Sequence, residues 1–244
     1  MSRRLAIGAG ACAAFALLLL GFVLFTGGGR GKGDGNGGNA IGGGLVGGNG
    51  LGAPRDGATN KTVLLIVPRN SVWGPDYGPL CERLRSQAGV KVVTASVVKG
   101  RCQLHAESPD QAVTVVADEA VDGGLYDRLK FDAVVFIGAD TNVYVTGGLA
   151  DAARGLIEKA QRDGRIVGGL CLGQVVLARH GTLDGREAAW GDMLSGNVAP
   201  DAARWNRQRG VVVDRSRGAT VITGKSDAVV VEFADALLGL LKPS

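Results

Sequence analysis

Hydrophobic positions fall into three textures along the 244-residue chain. The first is a single apolar block: Leu5 to Phe25 runs 21 residues without a charge, directly after Arg3 and Arg4. At about 1.5 Å of rise per residue, ~20 apolar residues cross a hydrocarbon core as a helix. A cleaved signal peptide carries a shorter apolar stretch that ends in a small-residue cleavage site. Here the block is longer and Thr26-Gly27-Gly28-Gly29 follows, so residues 1–26 read as an uncleaved anchor. The lipoprotein-like Ala9-Gly10-Ala11-Cys12 lies well inside the block and is set aside. Arg3 and Arg4 favour a cytoplasmic N-terminus, with Arg30 and Lys32 blunting the asymmetry. The expected location is a single-pass membrane protein whose domain is extracytoplasmic.

The second texture, residues 27–60, has no period. Sixteen of the 41 glycines lie between Gly27 and Gly57, without the three-residue repeat of collagen. No strand precedes these glycines, no helix follows and no G-K-[ST] occurs, which excludes a phosphate loop. A flexible linker remains, and about 30 such residues average an end-to-end distance of about 30 Å.

The third texture, residues 61–244, alternates short continuous apolar runs with helically spaced ones. Val63–Val67, Val90–Ala95, Ala133–Ile137 and Ile166–Gly169 read as strands buried on both faces. A further strand is expected near Val113–Ala117, and a hairpin from Val211–Val213 and Thr220–Thr223 around Arg217-Gly218. Helices are predicted over Tyr77–Ala88, Leu149–Arg162, Gly173–His180 and Asp227–Leu241, with Gly164 stopping the second. Alternating strands and helices predict a doubly wound α/β domain, a mostly parallel sheet with helices on both faces. Ligands of such folds bind beyond the carboxyl ends of the strands. The segments of interest are therefore Pro68–Asp76, Gly138–Gly148 and Gly169–Gly173.

Charge changes little in this picture. Of the formal net charge of +4, the first 60 residues carry +3, so the basic character belongs to the N-terminus and no nucleic-acid partner is expected. The local cluster Arg204, Trp205, Arg207 and Arg209 reads as a solvated loop.

The candidate chemistry lies at Gly169-Leu170-Cys171-Leu172-Gly173, a G-x-C-x-G turn between a strand and a helix. This is the cysteine counterpart of the G-x-S-x-G nucleophile elbow, in which flanking glycines relieve backbone crowding. A thiol at a helix N-terminus is expected to be partly ionised. A small buried hydrophobe is the competing role for a lone cysteine, and the elbow context outweighs it. No metal or cofactor is expected.

Several segments resemble the DJ-1/PfpI (ThiJ) family of the class I glutamine-amidotransferase-like fold. They are Phe131–Ala139, Gly164–Gly173, Leu177–Arg186, and Val213-Asp214 through Ile222–Gly224 with the last helix. The resemblance implies a flavodoxin-like, homodimeric domain with an oxidisable elbow cysteine, in a family whose members are described as proteases, deglycases, glyoxalases, chaperones or redox sensors. It also implies an oxyanion pocket built from the backbone N–H groups of Ala139 and Leu172, beside Gly138.

Two departures from the pattern bear on function. Catalytic members often carry His directly after the cysteine, where this chain has Leu172. They also place a Glu on the first helix against the cysteine, where counting puts Tyr77, with Asp76 beside it as an alternative polar partner. His180 is expected to cap carbonyls, and His105 is the remaining imidazole for a Cys–His pair. Trp73 and Trp190, with Tyr77, are expected either to line the mouth of the site or to pack at an interface. An exported domain would allow a Cys81–Cys102 bridge, and a cytoplasmic one would keep all its thiols reduced. Leu172 and the missing Glu favour a ligand-binding or redox-sensing member. The alternative is a cysteine-dependent hydrolase, glyoxalase or deglycase acting on a small carbonyl or amide compound.

Overall fold

The computed structural model describes residues 60–242. The expected anchor over residues 1–26 lies outside the described residues, as does the linker over 27–60 except for its last residue. Among the described residues, no helix is long and apolar enough to cross a membrane.

The central strands are β1 (Lys61–Ile66), β2 (Val90–Ser96), β6 (Ala133–Ile137), β7 (Ile166–Leu170) and β11 (Val221–Gly224). With β5 (Glu119–Ala120) and β10 (Val211–Asp214) they form a seven-stranded sheet in the order β10-β11-β7-β6-β1-β2-β5. Every pairing is parallel except β10 with β11. The continuous apolar runs are explained by which side of the sheet each residue faces. Leu64, Ile66, Val134 and Phe136 join one core with helices α4 (Ala150–Arg162) and α5 (Gly173–Arg179). Their neighbours Val63, Leu65, Ala133 and Val135 join the opposite core with α1 (Gly74–Arg85) and α6 (Val230–Leu241). Val63 to Ile66 are all fully buried, at about 1.5–3 kcal/mol for each side chain removed from water.

The differences from expectation have local causes. Helix α1 begins three residues before Tyr77 because Pro75 sits in its first turn, where its fixed φ suits a helix start. The expected strand near Val113 shortens to β4 (Val115–Ala117), which leaves the main sheet and pairs with β3 (Gly100–Cys102). Arg204 and Trp205 do not form a loop; they lie in β9 (Arg204–Asn206), paired parallel with β8 (Glu187–Ala189). The helices α2 (Leu125–Arg128) and α3 (Asn142–Val145) are single turns too short to leave a periodic signal. Cys81, Cys102 and Cys171 are free thiols, so the bridge considered for an exported domain is not formed.

One buried ion pair ties the hairpin to the helical layer. Arg186 is held by Asp214 at 3.0 Å and by the carbonyls of Ser216 and Ala219. Burial opposes ionisation of Asp214, but hydrogen bonds from Ser216, the Glu187 amide and Arg186 outweigh it and hold the carboxyl down at about 2. Its folded pKa lies below the unfolded value, so its contribution is complete above about pH 4 and is lost as pH falls toward 2. Replacing Asp214 by Ala leaves Arg186 buried without its carboxylate and is expected to cost about 3–5 kcal/mol. Urea unfolding at pH 7 measures this loss, and repeating it at pH 2 should find the difference between wild type and variant much reduced.

Candidate functional site

Strands β1 and β6 lie side by side, yet their connections run to opposite halves of the sheet. This reversal is where an open α/β sheet leaves a crevice beyond its strand ends. The segments after β1, β6, β7 and β11 bound that crevice. A cavity of about 400 Å³ lies there, lined by Ser71 and Trp73, Gly138 to Asp140, Cys171 and Leu172, and Ser226 and Asp227. His105, Glu107 and Met193 complete the wall.

Cys171 occupies a forced backbone position. Its φ is +54°, in the left-handed region that L residues rarely enter. Two hydrogen bonds to the Gly224 carbonyl hold the turn, one from the Cys171 amide and one from the buried Gln174 side chain, both 2.9 Å. Gly138 and Gly173 permit the close approach. A Cβ on Gly138 would lie 2.5 Å from Cα of Leu172, and one on Gly173 would overlap the Phe136 carbonyl. The elbow predicted from G-x-C-x-G is thus present. Cys171 lines the cavity and is only 8% exposed.

Asp76 is the residue that meets the thiol. It is fully buried on α1, and neither carboxylate oxygen has a partner of full hydrogen-bond geometry. The Cys171 thiol acts on it nonetheless, as a side-chain hydrogen bond that lowers the Asp76 pKa and raises that of Cys171. Burial dominates both groups. It pushes the Asp76 carboxyl up to about 8, with the charge of Asp227 adding to the rise. It pushes the Cys171 thiol up to about 12, with Asp76 and Asp227 adding to it and the Leu172 N–H opposing it. The partly ionised thiolate expected from the helix N-terminus is therefore corrected. Desolvation outweighs the dipole at a site this buried, and the pair holds both protons at neutral pH.

The remaining residues sort clearly. Tyr77 is not the cysteine's partner; its hydroxyl is 2.9 Å from Thr94 Oγ1, and it sits beside Cys81. Trp73 lines the cavity and donates its indole N–H to Asp227 at 3.0 Å. Trp190 lines a neighbouring cavity instead, stacked edge-on to Trp205 at 5.3 Å. Ala139, Gly138 and Leu172 line the cavity, and no backbone acceptor takes the Ala139 N–H among the described residues. His180 meets the Tyr144 carbonyl at 2.7 Å, the capping kind of role expected of it, on a carbonyl outside its own helix. His105 shares the cavity with Cys171, but its Nδ1 accepts the Glu107 N–H, which leaves the proton on Nε2 and makes that nitrogen a donor. Asp227 and Gln174 were missed from sequence. Asp227 follows β11, and searching beyond every strand end would have reached it. Among the described residues, no His/Cys/Asp/Glu cluster suits a metal ion.

Comparison with known proteins agrees with this geometry. The family model described as the DJ-1/PfpI family matches residues 61–240. Among solved structures, a ThiJ/PfpI domain protein from Brachyspira murdochii superposes with a TM-score of 0.62 at 22% identity, covering 74% of this chain and 95% of that one. Drosophila melanogaster DJ-1beta gives 0.59 at 21% identity over 75% and 90%. Oxidised Toxoplasma gondii DJ-1 gives 0.56 at 19% over 73% and 90%. No curated protein matches the chain.

The coupled pair carries a pH signature. Its first proton leaves at about pH 8, and the singly deprotonated state includes a thiolate hydrogen-bonded to a neutral Asp76. Alkylation of Cys171 by iodoacetamide is expected to rise through a step near pH 8, and Asp76→Asn should remove that step. Peptide-resolved mass spectrometry of the rate between pH 6 and 10 checks it.

Proposed function

The chain belongs to the DJ-1/PfpI family, and from that premise we propose that it is a cysteine-dependent enzyme acting on a small carbonyl compound. The observation that carries this reading is the buried contact between Asp76 and the Cys171 thiol on the wall of the cavity. A carboxyl without other partners, beside an elbow cysteine, is a proton partner for it, and its pKa near 8 suits proton transfer near neutrality.

In the singly deprotonated pair the thiol proton passes to Asp76, and the thiolate adds to the carbonyl carbon. A sulfur–carbon bond forms as the π pair moves onto oxygen. The amides of Leu172 and Ala139 receive that oxyanion. Asp76 then returns its proton to the oxygen, giving a thiohemiacetal and the carboxylate it began with.

The proposal extends to the whole chain. The uncharged run Leu5–Phe25 supports a single-pass anchor, with the domain on an extracytoplasmic tether and pairing as a homodimer as the resemblance implies.

Two measurements test these parts separately. With methylglyoxal as substrate, Cys171→Ser should fall to the uncatalysed background and Asp76→Asn should lose about a hundredfold in kcat/KM; full turnover by Cys171→Ser would overturn the mechanism. The full chain should stay in the membrane pellet after alkaline carbonate extraction, and deletion of residues 5–25 should release it.

A further inference from the structure

The cavity over Cys171 has walls of one charge. Three carboxylate residues, Glu107, Asp140 and Asp227, line it, and no Lys or Arg does. None of the three forms an ion pair among the described residues. Asp227 receives the Trp73 N–H and Asp140 an amide from Asn142, bonds that orient the carboxylates without neutralising them. Two basic side chains, Arg207 and Lys225, line the adjoining cavity instead, where Arg207 stacks on Trp190 at 4.6 Å.

The negative charge reaches the reacting atoms. Asp227 raises the pKa of both Asp76 and Cys171, so its field is felt at the carboxyl and the sulfur. Asp76 lies fully buried beside the thiol and is not itself among the residues that line the cavity, so the charge a ligand meets there is that of Glu107, Asp140 and Asp227. A neutral ligand leaves such a wall unbalanced, and an anionic one is repelled by it. A ligand that brings a positive charge offsets both the wall and the thiolate that must form there, and the half-buried indole of Trp73 offers it an aromatic surface.

We infer that the cavity selects a carbonyl compound bearing an ammonium group, with Glu107, Asp140 and Asp227 as the residues that determine this specificity. The inference rests on the reading of Cys171 as the reactive group and names the substrate class for it.

Charge-matched methanethiosulfonates test it on the full chain. Each transfers its sulfenyl group to the cysteine thiolate: a disulfide forms, the sulfur–sulfonyl bond breaks and methanesulfinate leaves. Labelling of Cys171 is followed by peptide mass spectrometry with the cationic aminoethyl, anionic sulfonatoethyl and neutral methyl reagents, each rate normalised to that of the urea-unfolded chain. The cationic reagent should react at least about tenfold faster than the anionic one, the lower end for a one-signed cleft. The ratio should shrink in 1 M NaCl, where the screening length is about 3 Å. It should also shrink in the triple variant Glu107→Gln, Asp140→Asn, Asp227→Asn. Equal normalised rates, a faster anionic reagent, or a ratio unchanged in the triple variant would overturn the charge selection and leave the reactive cysteine standing. Failure of all three reagents to label Cys171 in the folded chain would overturn both.

Discussion

The site depends on one steric constraint: the backbone at the end of β7 must turn into α5 hard against the end of β6. Gly173 lies where any Cβ would overlap the Phe136 carbonyl, and Gly138 faces it from the other side. With that space open, Cys171 is forced to φ +54°, a conformation costing about 1–3 kcal/mol for a residue with a side chain. The cost is offset by the Gly224 carbonyl, which takes two hydrogen bonds from the turn, and by the two buried cores that fix β7 between β6 and β11. The sulfur's aim is therefore a property of the whole sheet. A change at β11 that moved Gly224 would disturb the elbow as surely as a change at Cys171.

The second constraint is dielectric. Burial raises Asp76 and Cys171 together, and it also makes any hydrogen bond aimed at a developing oxyanion stronger than it would be in water. The two effects cannot be separated. Between about pH 4 and about 8 the folded chain holds a proton on Asp76 that the unfolded chain has released, so this group makes folding less favourable as pH rises through that window. Asp214 shows the opposite case. It too is a buried carboxylate, but it lies less deep than Asp76 and Arg186, Ser216 and the Glu187 amide satisfy it, so its pKa is depressed and it stabilises the fold above that pKa. A carboxylate surrounded by donors keeps its charge here, and a deeper one left without them keeps its proton.

The fold was legible because strands buried on both faces leave continuous apolar runs. β1, β6 and β7 were each evident from such runs, and the elbow from its two glycines. The short pieces were not legible. β3, β5, β8 and β9 have two or three residues each, fewer than any period needs, and they exist through tertiary pairing. The site was half legible. That Cys171, Ala139 and Leu172 lie together at the cavity followed from local sequence and the family resemblance. The thiol's protonation did not, because the sign of its shift depends on how much of Asp76, Asp227 and the cores surrounds it. Asp227 lies 56 positions from Cys171 along the chain and meets it only through the β7–β11 pairing.

The step from Tyr77 to Asp76 shows why register decides function. Counting back from Ala88 assumes that the first helix runs to that residue, and α1 ends at Arg85. A rotation of one residue on a helix is about 100°, enough to exchange the side chain under the elbow for its neighbour. Tyr77 then turns to Thr94 and Cys81 in the core, and Asp76 comes to lie against the sulfur. Asp227, half-buried on the cavity wall, approaches the same two groups and its charge raises the pKa of both. At neutral pH Asp76 and Cys171 both keep their protons, and a positive charge brought by a ligand would favour releasing one of them, a role to which the unpaired carboxylates lining the cavity are suited.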